Sequence, residues 1–144
     1  MKTYIDTSLL VTYYCPESGS KAAESYLLNQ KSLSISLLTK VEFSSALRKK
    51  ALSKELGSED AGMILDALGK DISEGYFKLL PVVLKDYREA RQILSDYNNK
   101  AGLHTLDAIH LAIAKRENLI LATADKQLAK AAELVDLQAD YIKF

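Results

Sequence analysis

The sequence predicts an α/β fold, a parallel sheet covered by helices on both faces. Three observations carry the prediction. Short segments of strand length recur between longer segments whose apolar residues repeat with helical period, the alternation that parallel strands joined by helices require. The chain has 144 residues, the size of one ordinary domain, and folding should hide roughly 68–70% of its unfolded surface. It contains no internal repeat, linker or composition break, so residues 1–144 read as one domain.

Taken in order, Lys2 to Ile5 is a short extended segment, and Asp6-Thr7-Ser8 opens a helix through Leu9–Tyr14 that Cys15-Pro16 stops. Lys21 to Leu28 carries Ala22, Ala23, Tyr26 and Leu27 as a helical stripe, and Ser32 to Ser36 alternates small polar with apolar residues as a strand does. Leu37 to Leu52 is helical, with Val41, Phe43, Ala46 and Leu47 apolar and Arg48-Lys49-Lys50 near its end, where cations suit the helix dipole. Ser58-Glu59-Asp60 starts another helix with Met63, Ile64, Ala67 and Leu68 on one face, so these two form a helical hairpin. Pro81 confines the apolar run Tyr76–Val83 to a short strand ending near Leu80. Asp86 to Tyr97 is the next helix, and the turn residues of Asn98-Asn99-Lys100-Ala101-Gly102 predict a loop. Leu106 to Arg116 is a helix with Ile109, Ala112 and Ile113 inward. Leu119 to Thr123 is a continuously apolar strand, covered on both faces, and Asp125 to Leu134 is a helix through Leu128, Ala131 and Ala132. Val135 to Phe144 holds one or two short strands.

Composition narrows the function. With 48% hydrophobic and 26% charged residues, the chain is neither disordered nor low-complexity. Lys+Arg and Asp+Glu both number 19, which excludes a blanket electrostatic grip on nucleic acid but leaves room for a local basic patch or a metal to meet phosphate. The lone Cys15 forms no intramolecular disulfide, and no apolar run approaches the ~18 residues of a membrane helix. Asp6 also stands where a signal peptide would be apolar, so a cytoplasmic protein without membrane contact is expected.

In open α/β sheets the carboxyl ends of the strands and the first turns of the following helices share one edge, where ligands bind. Each junction at that edge carries a carboxylate: Asp6 after the first strand, Glu42 in the first turn of the next strand's helix, Asp107 at the start of the helix after Gly102, and Asp125 after Thr123. Singly, helix capping explains them: Asp6 and Asp125 as N-caps, Thr39-Lys40-Val41-Glu42 as a capping box, and Asp107 two residues past the candidate cap Thr105. Together they repel one another unless a cation neutralises them. Oxygen-only ligands point to Mg²⁺ or Mn²⁺ rather than Zn²⁺, ions that bind phosphate oxygens and lower the pKa of water, the chemistry of phosphodiester cleavage. Gly57 and Gly62 have Walker A spacing, but Met63-Ile64 replaces the Lys and Ser/Thr that the loop needs. A haloacid-dehalogenase-like phosphatase would need a second acid where Ser8 stands. A hydrolase pairing Cys15 with His104 or His110 lacks any surrounding signature, and His110, aligned with Leu106 and Ile113, reads as a packed core histidine.

Tyr4-Ile5-Asp6-Thr7-Ser8, Val41-Glu42-Phe43 with Ala46-Leu47, Leu106-Asp107-Ala108-Ile109-His110-Leu111-Ala112 and Leu121 to Leu128, containing Thr123-Ala124-Asp125, together resemble a PIN-domain ribonuclease, specifically the VapC toxins of prokaryotic toxin–antitoxin pairs. The resemblance spans the whole chain in order. It implies a single PIN-like domain, an α/β/α sandwich with about five mostly parallel strands. It also implies a Mg²⁺- or Mn²⁺-dependent endoribonuclease whose metal ligands are Asp6, Glu42, Asp107 and Asp125, with Thr123 as the hydroxyl that supports the site. Asp6 and Asp107 would be the principal ligands, with Glu42 and Asp125 completing the pocket. Two other readings stand beside it: a catalytically silent PIN-like binding module, and a small-molecule phosphatase. The hairpin's Phe43, Leu47, Met63, Ile64, Leu68 and Ile72, with Tyr13 and Tyr14 nearby, should mostly pack inward. Any surplus would form a groove for an amphipathic partner helix and, elsewhere, for a second copy of the chain as a homodimer. By resemblance, the partners are an RNA substrate and a VapB-like antitoxin whose tail places an Arg or Lys among the four acids.

Overall fold

In a computed structural model, residues 2–144 are described, with the backbone alone given at 98–101. Five strands, β1 (Lys2–Ile5), β2 (Ser32–Ser36), β3 (Lys78–Leu80), β4 (Ile120–Thr123) and β5 (Ala139–Tyr141), form one sheet in the order β3-β2-β1-β4-β5. Every pairing is parallel. Between them run helices α1 (Thr7–Tyr14), α2 (Ser20–Leu28), α3 (Leu37–Leu52), α4 (Ser58–Ser73), α5 (Leu84–Ala101), α6 (Thr105–Arg116) and α7 (Lys126–Leu134).

Successive strand residues face opposite sides of the sheet, so β1 feeds two cores. Ile5, with Ile35 and Ala122, packs against Leu9 and Leu10 of α1, Ala23 and Leu27 of α2, Phe43 and Leu47 of α3, and Leu68 of α4. Tyr4 and Leu121 face the other layer, which is built from Ala90 and Ile93 of α5, Leu111 and Ala112 of α6, and Leu128 and Ala131 of α7. The result is the α/β/α sandwich expected, with an all-parallel sheet.

Three local expectations are corrected. Backbone 98–101 continues α5 instead of forming a loop, and the helix stops only at Gly102, whose left-handed φ of 58° suits a residue without Cβ. The capping box of α3 is Ser36 with Thr39: Ser36 Oγ accepts from the Thr39 amide at 3.2 Å and Thr39 Oγ1 from the Ser36 amide at 3.1 Å. Glu42 therefore lies in the second turn and caps nothing. The N-cap of α6 is His104 rather than Thr105. The last ten residues hold one short strand, β5, within the expectation of one or two.

Of the hairpin's apolar residues, Phe43, Leu47 and Leu68 are buried and Ile64 and Ile72 pack partly, while Met63 is 67% exposed. No helix among the described residues is long and apolar enough to cross a membrane.

Candidate active site

Because β1 is the central strand, its carboxyl end meets the ends of β2 and β4, and Asp6 extends the ladder by donating its amide to the Ala122 carbonyl at 3.1 Å. Asp6 is 4% exposed, and its carboxylate accepts from three donors. Oδ1 caps α1 through the Leu9 amide at 3.1 Å, the Ser8 hydroxyl lies 2.9 Å from both oxygens, and Thr123 Oγ1 donates to Oδ2 at 2.7 Å. Thr123 Oγ1 in turn accepts the Asp125 amide at 2.9 Å. Burial pushes the Asp6 carboxyl above its ordinary pKa, and the bonds from Thr123, Leu9 and Ser8 only partly offset it.

Glu42 approaches from α3. Its Oε1 accepts the Thr7 hydroxyl at 2.6 Å and a short bond from His110 Nε2. Burial alone would raise this carboxyl, but the His110 bond and charge and the Thr7 hydroxyl outweigh it and hold Glu42 below its ordinary value. His110 is buried at 2% exposure, as its apolar neighbours suggested, yet both ring nitrogens are engaged. Nδ1 lies 2.5 Å from the Tyr4 hydroxyl, which lies 2.9 Å from Ser36 Oγ.

Asp107 sits in the first turn of α6, and Asp125 is the N-cap of α7. Asp107 Oδ2 accepts the His104 amide at 3.3 Å, and Asp125 Oδ1 caps α7 through the Gln127 amide at 2.9 Å and the Leu128 amide at 3.4 Å. The structure thus joins Asp6 to Thr123 and Glu42 to His110, and leaves Asp107 and Asp125 bonded to helix amides. Among the described residues no three His, Cys, Asp or Glu side chains are gathered as a ligand set. Nor, among the described residues, does a Lys or Arg pair with the four acids: the ion pairs they make there are His110 with Glu42 and His104 with Asp107. All-oxygen donors short of positive charge are chemistry that fits a hard divalent cation.

Tyr4, Thr7, Ser8 and His110 are members of this network that sequence reasoning did not assign. The available signal was spacing: Tyr4 shares a strand face with Asp6, and His110 follows Asp107 by three residues on one helix. Cys15 is buried in the core around Ile5 and Phe43, and burial raises its thiol pKa, so it is no activated nucleophile. A cavity of about 640 Å³ opens at the opposite end of the sheet beside Ser32, Asp71, Tyr76 and Lys78 and includes none of the four acids.

The sequence model of the family described as PIN domain matches residues 3–134. Ribonuclease VapC3 of Pyrobaculum aerophilum is 29% identical over 130 residues, covering 90% of this chain and 94% of that protein. The crystal structure of VapC20 of Mycobacterium tuberculosis, described as a Sarcin-Ricin loop cleaving toxin, superposes with a TM-score of 0.72 at 13% identity, covering 90% of this chain and 95% of that one. VapBC2 of Rickettsia felis, bound to a DNA fragment from its promoter, gives 0.68 at 17% identity, with 98% of each chain covered. At these identities the two superpositions bear on the fold.

Proposed function

Because the chain belongs to the PIN domain family, we propose that it is a cytoplasmic, divalent-metal-dependent endoribonuclease, the toxin of a toxin–antitoxin pair. The observation that carries this reading is the set of carboxylates at the sheet's carboxyl edge with, among the described residues, no lysine or arginine paired to them. Resemblance to Ribonuclease VapC3 over nearly the whole of both chains supports RNA as the substrate, and the VapBC2 relative supports an antitoxin partner.

Asp6 and Asp107 would hold a Mg²⁺ or Mn²⁺ ion, with Glu42 and Asp125 completing the pocket. When bound, the ion supplies Lewis acidity at a phosphate oxygen and a water of lowered pKa. The chain's own residues do the rest. Ser8, Thr123 and the Leu9 amide fix the Asp6 carboxylate against rotation. Glu42, kept ionised, accepts a proton from attacking water, and Thr123 links the Asp6 side to Asp125 through one hydroxyl. A small antitoxin whose tail carries an Arg or Lys would supply the missing charge and silence the site, and a second copy of the chain completes a homodimer.

The test is cleavage of RNA by purified protein with Mg²⁺ or Mn²⁺, with chelator, and with Asp107→Asn, followed by suppression on co-expression with a candidate VapB-like antitoxin. Cleavage that needs the ion and Asp107 is expected. One observation favours a second reading, a silent binding module: Asp107 and Asp125 are bonded to helix amides rather than gathered with Asp6. RNA binding without cleavage at any ion concentration would select it.

A further inference from the structure

Tyr4 and His110 hold none of the roles given above, yet together they end on Glu42. The chain of bonds is closed. Ser36 and Thr39, the capping box of α3, lie 2.9 and 3.4 Å from the Tyr4 hydroxyl on β1, which lies 2.5 Å from Nδ1 of His110 on α6. His110 Nε2 returns to Glu42 on α3, one turn beyond that same cap, and Thr7 of α1 braces the same oxygen. A carboxylate can only accept, so Nε2 carries the hydrogen and the phenol engages the other nitrogen. Both ends of the imidazole are pinned, and its plane is set.

We propose that Tyr4 and His110 are positioning residues for the nuclease reaction, Tyr4 acting through the imidazole to fix the Glu42 carboxylate. A histidine serving the core alone needs an acceptor anywhere in the interior; this one spends its outer nitrogen on a carboxylate that reaches the surface edge of the site. Both donors engage Oε1, and among the described residues no protein hydrogen bond engages Oε2, the oxygen left for the reaction. Because α6 also carries Asp107 one turn before His110, the same bond sets α3 and α6, each bearing one of the acids, in fixed relation. Partners of this kind that orient the groups around a metal are worth roughly ten- to hundredfold in affinity or rate.

The activity arm of the test rests on the nuclease reading; the spectroscopic arm does not. In metal-free wild-type protein, ¹⁵N-resolved NMR should show a far-downfield, slowly exchanging His110 Nε2 proton that moves upfield in Glu42→Gln and in Tyr4→Phe. In Mn²⁺-dependent cleavage, Tyr4→Phe should lower kcat by roughly ten- to hundredfold with KM for RNA and the circular dichroism spectrum unchanged. Tyr4→Phe added to His110→Gln should cost little more than His110→Gln alone, because the path it acts through is already broken. A wild-type kcat in Tyr4→Phe, or losses that multiply in the double variant, would overturn the proposal while leaving the nuclease reading intact. Should His110→Gln fail to fold, Tyr4→Phe, which removes one oxygen, carries the kinetic test. If the wild type cleaves no RNA, the nuclease reading falls, and an Nε2 proton unmoved by Glu42→Gln and Tyr4→Phe removes the relay as well.

Discussion

Replacing Asp6 by Asn and, separately, by Ala divides two jobs held by one side chain. Asn keeps an oxygen for the Leu9 amide and is as good an N-cap as Asp. It also removes a charge that burial disfavours. The sign follows: a carboxyl raised by folding costs nothing below its unfolded pKa of about 3.9, and its cost grows as pH rises from there through the folded value. Asp6→Asn should therefore match or exceed wild-type stability at neutral pH, with the advantage shrinking in acid. Ala loses the cap, about 1 kcal/mol. It also removes the polar atom facing the fully buried Thr123 hydroxyl; in Asn the amide nitrogen there can donate to the Thr123 oxygen while the hydroxyl turns to Ser8 Oγ at 3.4 Å, whereas Ala loses that contact, at about 1–3 kcal/mol. The Ala variant should thus unfold about 2–4 kcal/mol below the Asn variant, at about 2–4 °C of Tm per kcal/mol. Both should be inactive in metal-dependent RNA cleavage. Thermal melts monitored by circular dichroism, run beside the nuclease assay, read both jobs. An Asn variant that cleaves RNA at the wild-type rate refutes the ligand role, and one that melts as low as the Ala variant shows capping and charge to be inseparable.

Other expectations follow from the same contacts. Mn²⁺ should raise the melting temperature of metal-free wild type, by about 2.7 kcal/mol of stability at a hundredfold excess over Kd, and should leave Asp6→Asn unmoved; equal shifts in both would place the ion elsewhere. Burial first, with carboxylate neighbours at Tyr14 and Tyr26, raises the phenols of Tyr4, Tyr14 and Tyr26. Unfolded tyrosines ionise near pH 10, so stability should fall as pH climbs past about 10 and these phenols should titrate only as the chain unfolds, a single cooperative rise in phenolate absorbance. Asp86 is 1% exposed and gripped by Arg116 through bonds of 2.8 and 3.2 Å; Arg116→Met should cost about 3 kcal/mol in urea unfolding by stranding that carboxylate, and Asp86→Leu in the same chain should recover part of it.

The fold was legible wherever local pattern and tertiary burial agree. The bounds of Ser32–Ser36 and Leu37–Leu52 can be read directly, because a strand of alternating small and apolar residues gives way to a run without Gly or Pro. Asn98-Asn99-Lys100 looked like a turn because those residues favour turns, but none forbids a helix, and the residue that ends one is Gly102. Glu42 looked like a cap because Thr39 precedes it by three residues, whereas Ser36, the last residue of β2, holds that place. The acids of the candidate site were visible as a repeated junction pattern. The Tyr4–His110–Glu42 chain was not, since its members lie 106 and 68 residues apart in sequence and each alone reads as core or surface.

The strand order sets a timetable for assembly. β1 leaves the ribosome first but sits in the middle of the sheet, with Tyr4 in register with Leu121 near the far end of the chain. Until β4 is synthesised, β1 has an unpaired edge and Asp6 lacks the Thr123 hydroxyl, so long-range closure comes late and slowly. A nascent chain stopped anywhere before Ile120 carries Asp6, Glu42 and even Asp107 without Thr123 and Asp125. On the proposed nuclease reading, this order would keep the site incomplete until synthesis nears its end, and incomplete products would display a bare strand edge for proteases to find.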